Sequence, residues 1–364
     1  MWYTIVFYLL LFIVSNQKGR NVLMWTGIIV ALYYGLRYNY MPDYMTYYRD
    51  FNRFASPNFV YDGDYEHYEY GWYILNKIFS PFGFFFFVFV CSCVYSYGIN
   101  KVASKYNLGQ RYLPIVIVGY FTNPWAAVLC SAQRQFLVTG IFLIAYAFLI
   151  YNNNDKISKL WSKEYILYYI IIILCSTLHT SAIILLIVPL IVVLPLNAKS
   201  IIVLLTTLII LFLYIGPRYL PELLMGYIIE TGNFSSLEKT LEESTSGDLT
   251  LMATLMYGLQ LILFVFAFGL KKITKDEHFA LILAIVCILL SMTSYYMQEV
   301  YRMSMYLQLF VYIGLSIVCC KYPKPFNIIA SIITWFWILW NAIKILQPPA
   351  LPTDVYKTVF SLLF

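Results

Sequence analysis

The 364-residue sequence predicts an all-α, polytopic integral membrane protein with about twelve transmembrane helices. Apolar residues make up 61% of the chain and charged residues 12%, against roughly 45–50% and 25% in soluble domains, and the mean hydropathy is +0.73. The apolar residues are gathered into long runs separated by charged or Pro/Gly/Asn punctuation. A bilayer core about 30 Å thick takes roughly 20 apolar residues per helix. A dozen spans therefore use most of the chain and leave no room for a Rossmann, TIM-barrel or immunoglobulin body. Lysine is also unevenly divided between alternate loops, as expected when loops alternate across a membrane.

In chain order, the runs place spans near residues 2–15, 22–36, 82–99, 112–129, 131–151 and 165–178. The second half continues near 181–195, 200–216, 250–270, 279–296, 303–320 and 327–344. The first run stands where a secretory leader would, but no basic residue leads it and no small-residue cleavage site ends it. Lys18 and Arg20 follow it, so it reads as a true span. Asn123-Pro124 marks a kink in the fourth span, and Leu178-His179-Thr180-Ser181 the tip of a hairpin between the sixth and seventh. The whole of 1–364 then forms one transmembrane domain with two large extracytoplasmic segments, 37–81 and 217–250. The second ends in an acidic, Ser/Thr-rich stretch, Ser235 to Asp248, whose spacing suits a surface lid or short amphipathic helix. The seven cysteines lie in or against apolar runs and read as packed thiols. No internal repeat is evident, which disfavours transporter folds built from inverted halves.

With the segment after the first span on the cytoplasmic side, twelve of the sixteen lysines are inside. Among the acids only Asp155, Glu164, Asp276 and Glu277 join them. The positive-inside rule is satisfied, both termini lie outside, and the net charge of +6 reflects topology rather than a nucleic-acid partner. Arginine breaks the pattern. Arg37, Arg49, Arg53, Arg134, Arg218 and Arg302 are all on or near the outer face. The outer arginines therefore answer to a requirement other than topology, and a planar guanidinium grips phosphate or carboxylate in a bidentate way that ammonium does not. Snorkelling, with pairing to outer acids, is the competing reading for Arg49, Arg53 and Arg218.

Several outer residues are candidates for chemistry. Segment 37–70 is dense in tyrosine and acid, including Asp43, Tyr44, Tyr47 and Glu69; aromatic faces beside carboxylates suit sugars, although an interfacial belt also enriches tyrosine. Arg134, between Gln133 and Gln135, interrupts a stretch from Tyr112 to Tyr151 that is otherwise uncharged, a costly placement in a membrane. If a helix restarts near Ser131, Arg134 falls in its first turn, where free N–H groups also favour an anion. His179 at its hairpin tip suits a phosphate, a sugar hydroxyl or a proton, or a plain structural hydrogen bond. Tyr301 and Arg302, with Glu299 three residues before the arginine, form a polar cluster between two late spans. Asp62-Gly63-Asp64 is weak as a metal pair, and His67, His179 and His278 lack ligand spacing. No metal and no cofactor are expected, and the short inner loops carry no phosphate-loop pattern.

The order of these elements carries a resemblance. Arg37 with Pro42-Asp43-Tyr44 and Tyr47 follows the second span, then come Glu69-Tyr70-Gly71-Trp72, Gln133-Arg134-Gln135, His179-Thr180-Ser181 and Tyr301-Arg302. Together they resemble the EpsG family of polysaccharide polymerases, related in role to the Wzy O-antigen polymerases, over about residues 1–321. The sequence departs from the family at Met41, where a glycine or small residue usually stands before the aspartate.

The resemblance implies a GT-C-like enzyme of the bacterial cytoplasmic membrane with its active site facing the periplasm or exterior. It would join undecaprenyl-pyrophosphate-linked oligosaccharide repeats, transferring the growing glycan to a hydroxyl of the incoming repeat. Arg37, Arg134 and Arg302 then fit the departing pyrophosphate; Asp43, Glu69 and His179 are candidates for the general base; Tyr44, Tyr47, Gln133, Gln135, Glu299 and Tyr301 fit substrate binding. A chain-length regulator and a flippase are partners expected at family level. Competing readings are a ligase that passes a finished glycan to another acceptor, a flippase or transporter of lipid-linked sugars, and an acyltransferase. A translocation path would show charges at mid-depth, where these spans are clean, and an acyltransferase has only His179 to recommend it.

Overall fold

A bilayer offers no water to backbone amides, so a chain this apolar closes its hydrogen bonds within helices. Among the described residues the computed structural model is accordingly all-α apart from one pair of two-residue strands, Arg37–Tyr38 (β1) and Lys357–Thr358 (β2). It describes residues 2–19, 21–61, 69–106, 110–150, 161–193, 251–270, 273–293, 298–346 and 356–359. The chain divides into two units: Met1–Val193 with Ser331–Phe364, and Leu194–Ala330.

The first unit opens with α1 (Trp2–Ser15) and α2 (Val22–Gly35), and continues through α3 (Tyr44–Ala55), α4 (Tyr70–Phe79) and α5 (Phe84–Lys105). Then come α6 (Leu113–Thr122), α7 (Pro124–Ser131), α8 (Gln133–Ala145) with a π turn over Tyr146–Ile150, and α9 (Lys163–Ser176). α2 packs on α5 and α5 on α8. Across the first contact Ser96 Oγ donates to the Gly27 carbonyl at 2.7 Å and Asn100 Nδ2 to that of Leu23 at 2.8 Å. The second is a glycine crossing: a Cβ on Gly98 would stand 2.6 Å from the Gly140 carbonyl oxygen, and one on Gly140 would stand 2.7 Å from Tyr95 Cα. Helices without side chains at the crossing meet backbone to backbone, the usual device where lipid supplies no hydrophobic drive to association. Buried hydroxyl pairs, Tyr95 with Tyr120 and Tyr106 with Tyr146, each at 2.6 Å, satisfy the polar ends of core tyrosines.

In the second unit the Lys275–Thr293 helix packs on the Gln308–Lys321, Gln298–Met305 and Leu251–Phe268 helices. Its start is a capping box: Thr274 Oγ1 accepts from the Glu277 amide at 3.3 Å, and Glu277 Oε2 from the Thr274 amide at 2.8 Å. Glu277 Oε1 also pairs with Lys321 Nζ at 3.0 Å.

Helices Phe84–Lys105, Gln133–Ile150 and Phe326–Ile345 are long and apolar enough to cross a membrane. The α6–α7 pair adds a fourth if it is counted as one span bent by 57°. Shorter apolar helices, among them Trp2–Ser15, Val22–Gly35 and Gln308–Lys321, cover other predicted spans. With the composition, they describe a membrane-embedded, all-α protein. The kink expected at Asn123-Pro124 is a full break: Asn123 caps α7, accepting the Trp125 amide at 3.1 Å, and the ring of Pro124 occupies the first helical position. The predicted seventh span begins as a 3₁₀ helix, Thr180–Ile187. Segment 37–81, read in the sequence as extracytoplasmic and given no secondary structure, contains two helices, α3 and α4. The predicted span 200–216 and the acidic stretch 235–248 lie outside the described residues.

Candidate active site

The site is assembled at one break in the helical framework. α2 stops at Gly35, and the chain then turns through Asn39 (φ 44°) and Met41 (φ 72°), both in the left-handed region. Asn tolerates that region, while a long side chain such as Met pays about 1–2 kcal/mol there. This is the position where the resemblance implies a glycine or small residue, and the turn it makes delivers Asp43 to the start of α3.

Asp43 stands at the N-cap of α3, yet its side chain caps nothing. Its carboxylate Oδ2 accepts instead from Ser131 Oγ at 3.1 Å, and its amide lies 3.2 Å from the same oxygen. Ser131 ends α7, and α8 begins two residues later at Gln133, so Arg134 does lie in a first helical turn. One turn beyond Asp43, the Tyr47 hydroxyl accepts from Arg134 Nε at 3.4 Å. Asp43 and Arg134 are thus tied to the same stretch of α3 through neighbouring partners. Tyr47 is itself buried and packs edge-on against buried Trp72 of α4, ring centroids 5.8 Å apart.

Glu69, just before α4, is the hub. Oε2 receives the Arg134 guanidinium through Nη1. Oε1 accepts from the Thr180 amide at 2.8 Å and the Thr180 hydroxyl at 3.0 Å, with His179 Nδ1 3.4 Å away. Both Glu69 and Arg134 keep only 18% of their side-chain surface exposed. Burial would raise the Glu69 carboxyl, but the His179 contact, the Arg134 charge and the Thr180 amide outweigh it and hold the group down at about 2. His179 is buried, and its Nε2 has no hydrogen-bond partner. Gly71 lets these groups meet. A Cβ on it would come within 2.3 Å of Thr177 Oγ1 and 2.6 Å of the Thr177 carbonyl oxygen, so α4 reaches the end of α9 only because this residue has no side chain.

Arg37 was expected to face pyrophosphate, and it is turned into the protein. It is 1% exposed, and its guanidinium donates to the Tyr34 carbonyl near the end of α2, to the Cys130 carbonyl near the end of α7 at 3.0 Å, and to Gln133 Oε1. Two helix C-termini, where free carbonyls gather negative charge, share one cation. The Phe136 and Tyr44 rings flank it, 5.4 and 5.9 Å from Cζ. Gln133 is therefore Arg37's partner, Gln135 is buried in α8, and Tyr44 is buried against Phe84. The C-terminal strand closes over the same corner: β2 pairs antiparallel with β1, Tyr356 stacks on Tyr33 at 4.2 Å, and its hydroxyl donates to the Tyr33 carbonyl.

Tyr301 and Arg302 belong to the second unit, on the Gln298–Met305 helix, where Arg302 is exposed and Tyr301 half-buried. The Glu299 side chain, Asp62, Asp64 and His67 lie outside the described residues. Among the described residues no cluster of three His, Cys, Asp or Glu could hold a metal ion. Ser131 and Thr180, which seat Asp43 and Glu69, were not singled out as site residues. The available signal was a hydroxyl close in sequence to a candidate residue, Ser131 three residues before Arg134 and Thr180 next to His179. In comparison with known proteins, the family model described as EpsG family matches residues 20–357. No curated protein and no solved structure matches the chain.

Proposed function

From the premise that the chain belongs to the EpsG family, a family of Wzy-like polysaccharide polymerases, we propose that it polymerises undecaprenyl-pyrophosphate-linked oligosaccharide repeats. The reaction takes place at the outer leaflet of the bacterial cytoplasmic membrane, in a twelve-span, GT-C-like framework whose site faces the periplasm or exterior. The growing glycan is the donor. A hydroxyl of the incoming repeat attacks the anomeric carbon, the bond from that carbon to the pyrophosphate oxygen breaks, and the hydroxyl proton passes to a base. Arg134 neutralises the charge gathering on the departing pyrophosphate, an electrostatic role that needs no metal.

Asp43 suits the base. It is exposed, and Ser131 orients its carboxylate without enclosing it. Glu69 is unsuited in its observed setting, because a carboxyl held at about 2 has little tendency to take a proton at neutral pH. Arg37 serves as the structural cation that joins α2, α7 and α8. Tyr47 steadies Arg134. A chain-length regulator and a flippase are the partners this reading calls for.

The observation that carries the proposal is Arg134: a guanidinium at the start of an apolar helix, linked through Ser131 and Tyr47 to the turn that holds Asp43. Purified protein given the host's lipid-linked repeat should produce a ladder of polymers, with or without a chelator. A folded protein that leaves the repeat unextended would overturn the polymerase reading. A ladder erased by chelator would overturn its metal independence.

A further inference from the structure

Three donors converge on the Glu69 carboxylate, the Arg134 guanidinium and the Thr180 amide and hydroxyl, with His179 Nδ1 3.4 Å away. They come from separate elements, namely the first turn of α8 and the start of the Thr180–Ile187 3₁₀ helix. The set is what a phosphate group asks for: a planar cation for bidentate contact, a backbone N–H at a helical start, a hydroxyl and an imidazole. His179 Nε2 is buried and without a partner, a further polar atom that the carboxylate does not use.

We propose that Arg134, Thr180 and His179 form a diphosphate-binding cradle, and that Glu69 is its internal occupant, which the diphosphate must displace. This deepens the polymerase reading and rests on it for the identity of the lipid, though not for the anion chemistry. The carboxylate mimics one phosphate group and keeps the cradle organised while no substrate is bound. A diphosphate brings more charge and more acceptor oxygens than a single carboxylate, so it wins the exchange. Glu69 is then released beside the bound substrate. Apparent affinity in the resting protein is the intrinsic affinity multiplied by the fraction of molecules in which the cradle is open. Occupancy by Glu69 thus weakens capture and equally helps release of the spent diphosphate lipid.

The test compares diphosphate binding to full-length wild-type protein, Glu69→Gln and Thr180→Val in detergent micelles. Inorganic pyrophosphate and undecaprenyl pyrophosphate serve as separate probes. Glu69→Gln removes the charge while keeping the shape. It should tighten binding of both probes by about tenfold or more, the inverse of an open fraction of one in ten, while lowering the melting temperature. Thr180→Val should weaken both. A gain for the lipid alone would mean that the cradle recognises the head group only in its lipid context, and a gain for both that the free anion suffices; either supports the exchange. Unchanged or weaker binding by Glu69→Gln, with the variant folded, would overturn it, as would failure of every protein to bind either probe. Tighter binding without any polymer ladder would sink the polymerase reading and leave the cradle standing. A ladder without tighter binding would do the reverse.

Discussion

Arg37 and Arg134 look alike in the sequence, each an arginine near the outer end of an apolar span, yet their guanidinium groups meet different partners. Arg37 is spent on two helix-end carbonyls and a glutamine, whereas Arg134 meets a carboxylate and a tyrosine hydroxyl in a half-open setting. Lysine cannot reproduce Arg37's fan of donors. Arg37→Lys should therefore lower stability by about 1–3 kcal/mol, seen as a clear drop in the melting temperature of the detergent-solubilised protein. Arg134→Lys should leave melting within a few degrees of wild type and abolish polymer formation; an active lysine variant would refute its bidentate role. Glu69 adds a pH signature. Its folded pKa lies below the ordinary carboxylate value, so its stabilisation is present above that ordinary value and is lost as pH falls towards about 2. The melting-temperature gap between wild type and Glu69→Gln should hold from pH 7 to about 5 and close between about 4.5 and 2. A gap independent of pH would show that shape, not charge, supplies the stabilisation.

At the scale of elements, small residues decide which helices meet. Gly71 lets α4 reach the Thr177 backbone, and that approach puts Glu69 in range of Thr180. Gly71→Ala should push the two apart and reduce polymer formation at least tenfold, while a larger residue at an exposed site of the same helix, such as Lys77, has no such effect. Met41 is the complementary case, a side chain held in the left-handed region by the turn into α3. A β-branched residue is still worse there, so Met41→Val should cost about 1–2 kcal/mol, measurable as a lower melting temperature, while Met41→Gly relieves the strain and should hold or raise it. The departure from glycine seen in the sequence is thus tolerated as backbone strain, and the turn itself is retained.

Across the first unit, the corner around Arg37 is closed by residues more than three hundred positions away in the chain, through β1–β2 pairing and the Tyr33–Tyr356 stack. Tyr356→Ala should destabilise this unit and raise proteolytic cleavage after α2, without changing how the membrane spans insert.

Much of the architecture was legible beforehand because it follows from local chemistry. Apolar runs must become helices in lipid, Asn-Pro must interrupt one, and an isolated arginine after that interruption must find an anionic or polar partner. The helical placement of Arg134, the hairpin at His179 and the family likeness rest on such features. What only the tertiary structure decided is partnership. Whether Arg37 turns inward or outward, whether Tyr44 and Tyr47 line a site or support one, that Glu69 meets Arg134, His179 and Thr180, and that Tyr356 returns to α2 all depend on contacts between residues tens to hundreds of positions apart. A run of residues reports its own periodicity and polarity, but a hydrogen bond of about 3 Å between distant segments is settled only when glycine crossings and strained turns fix how closely the helices approach.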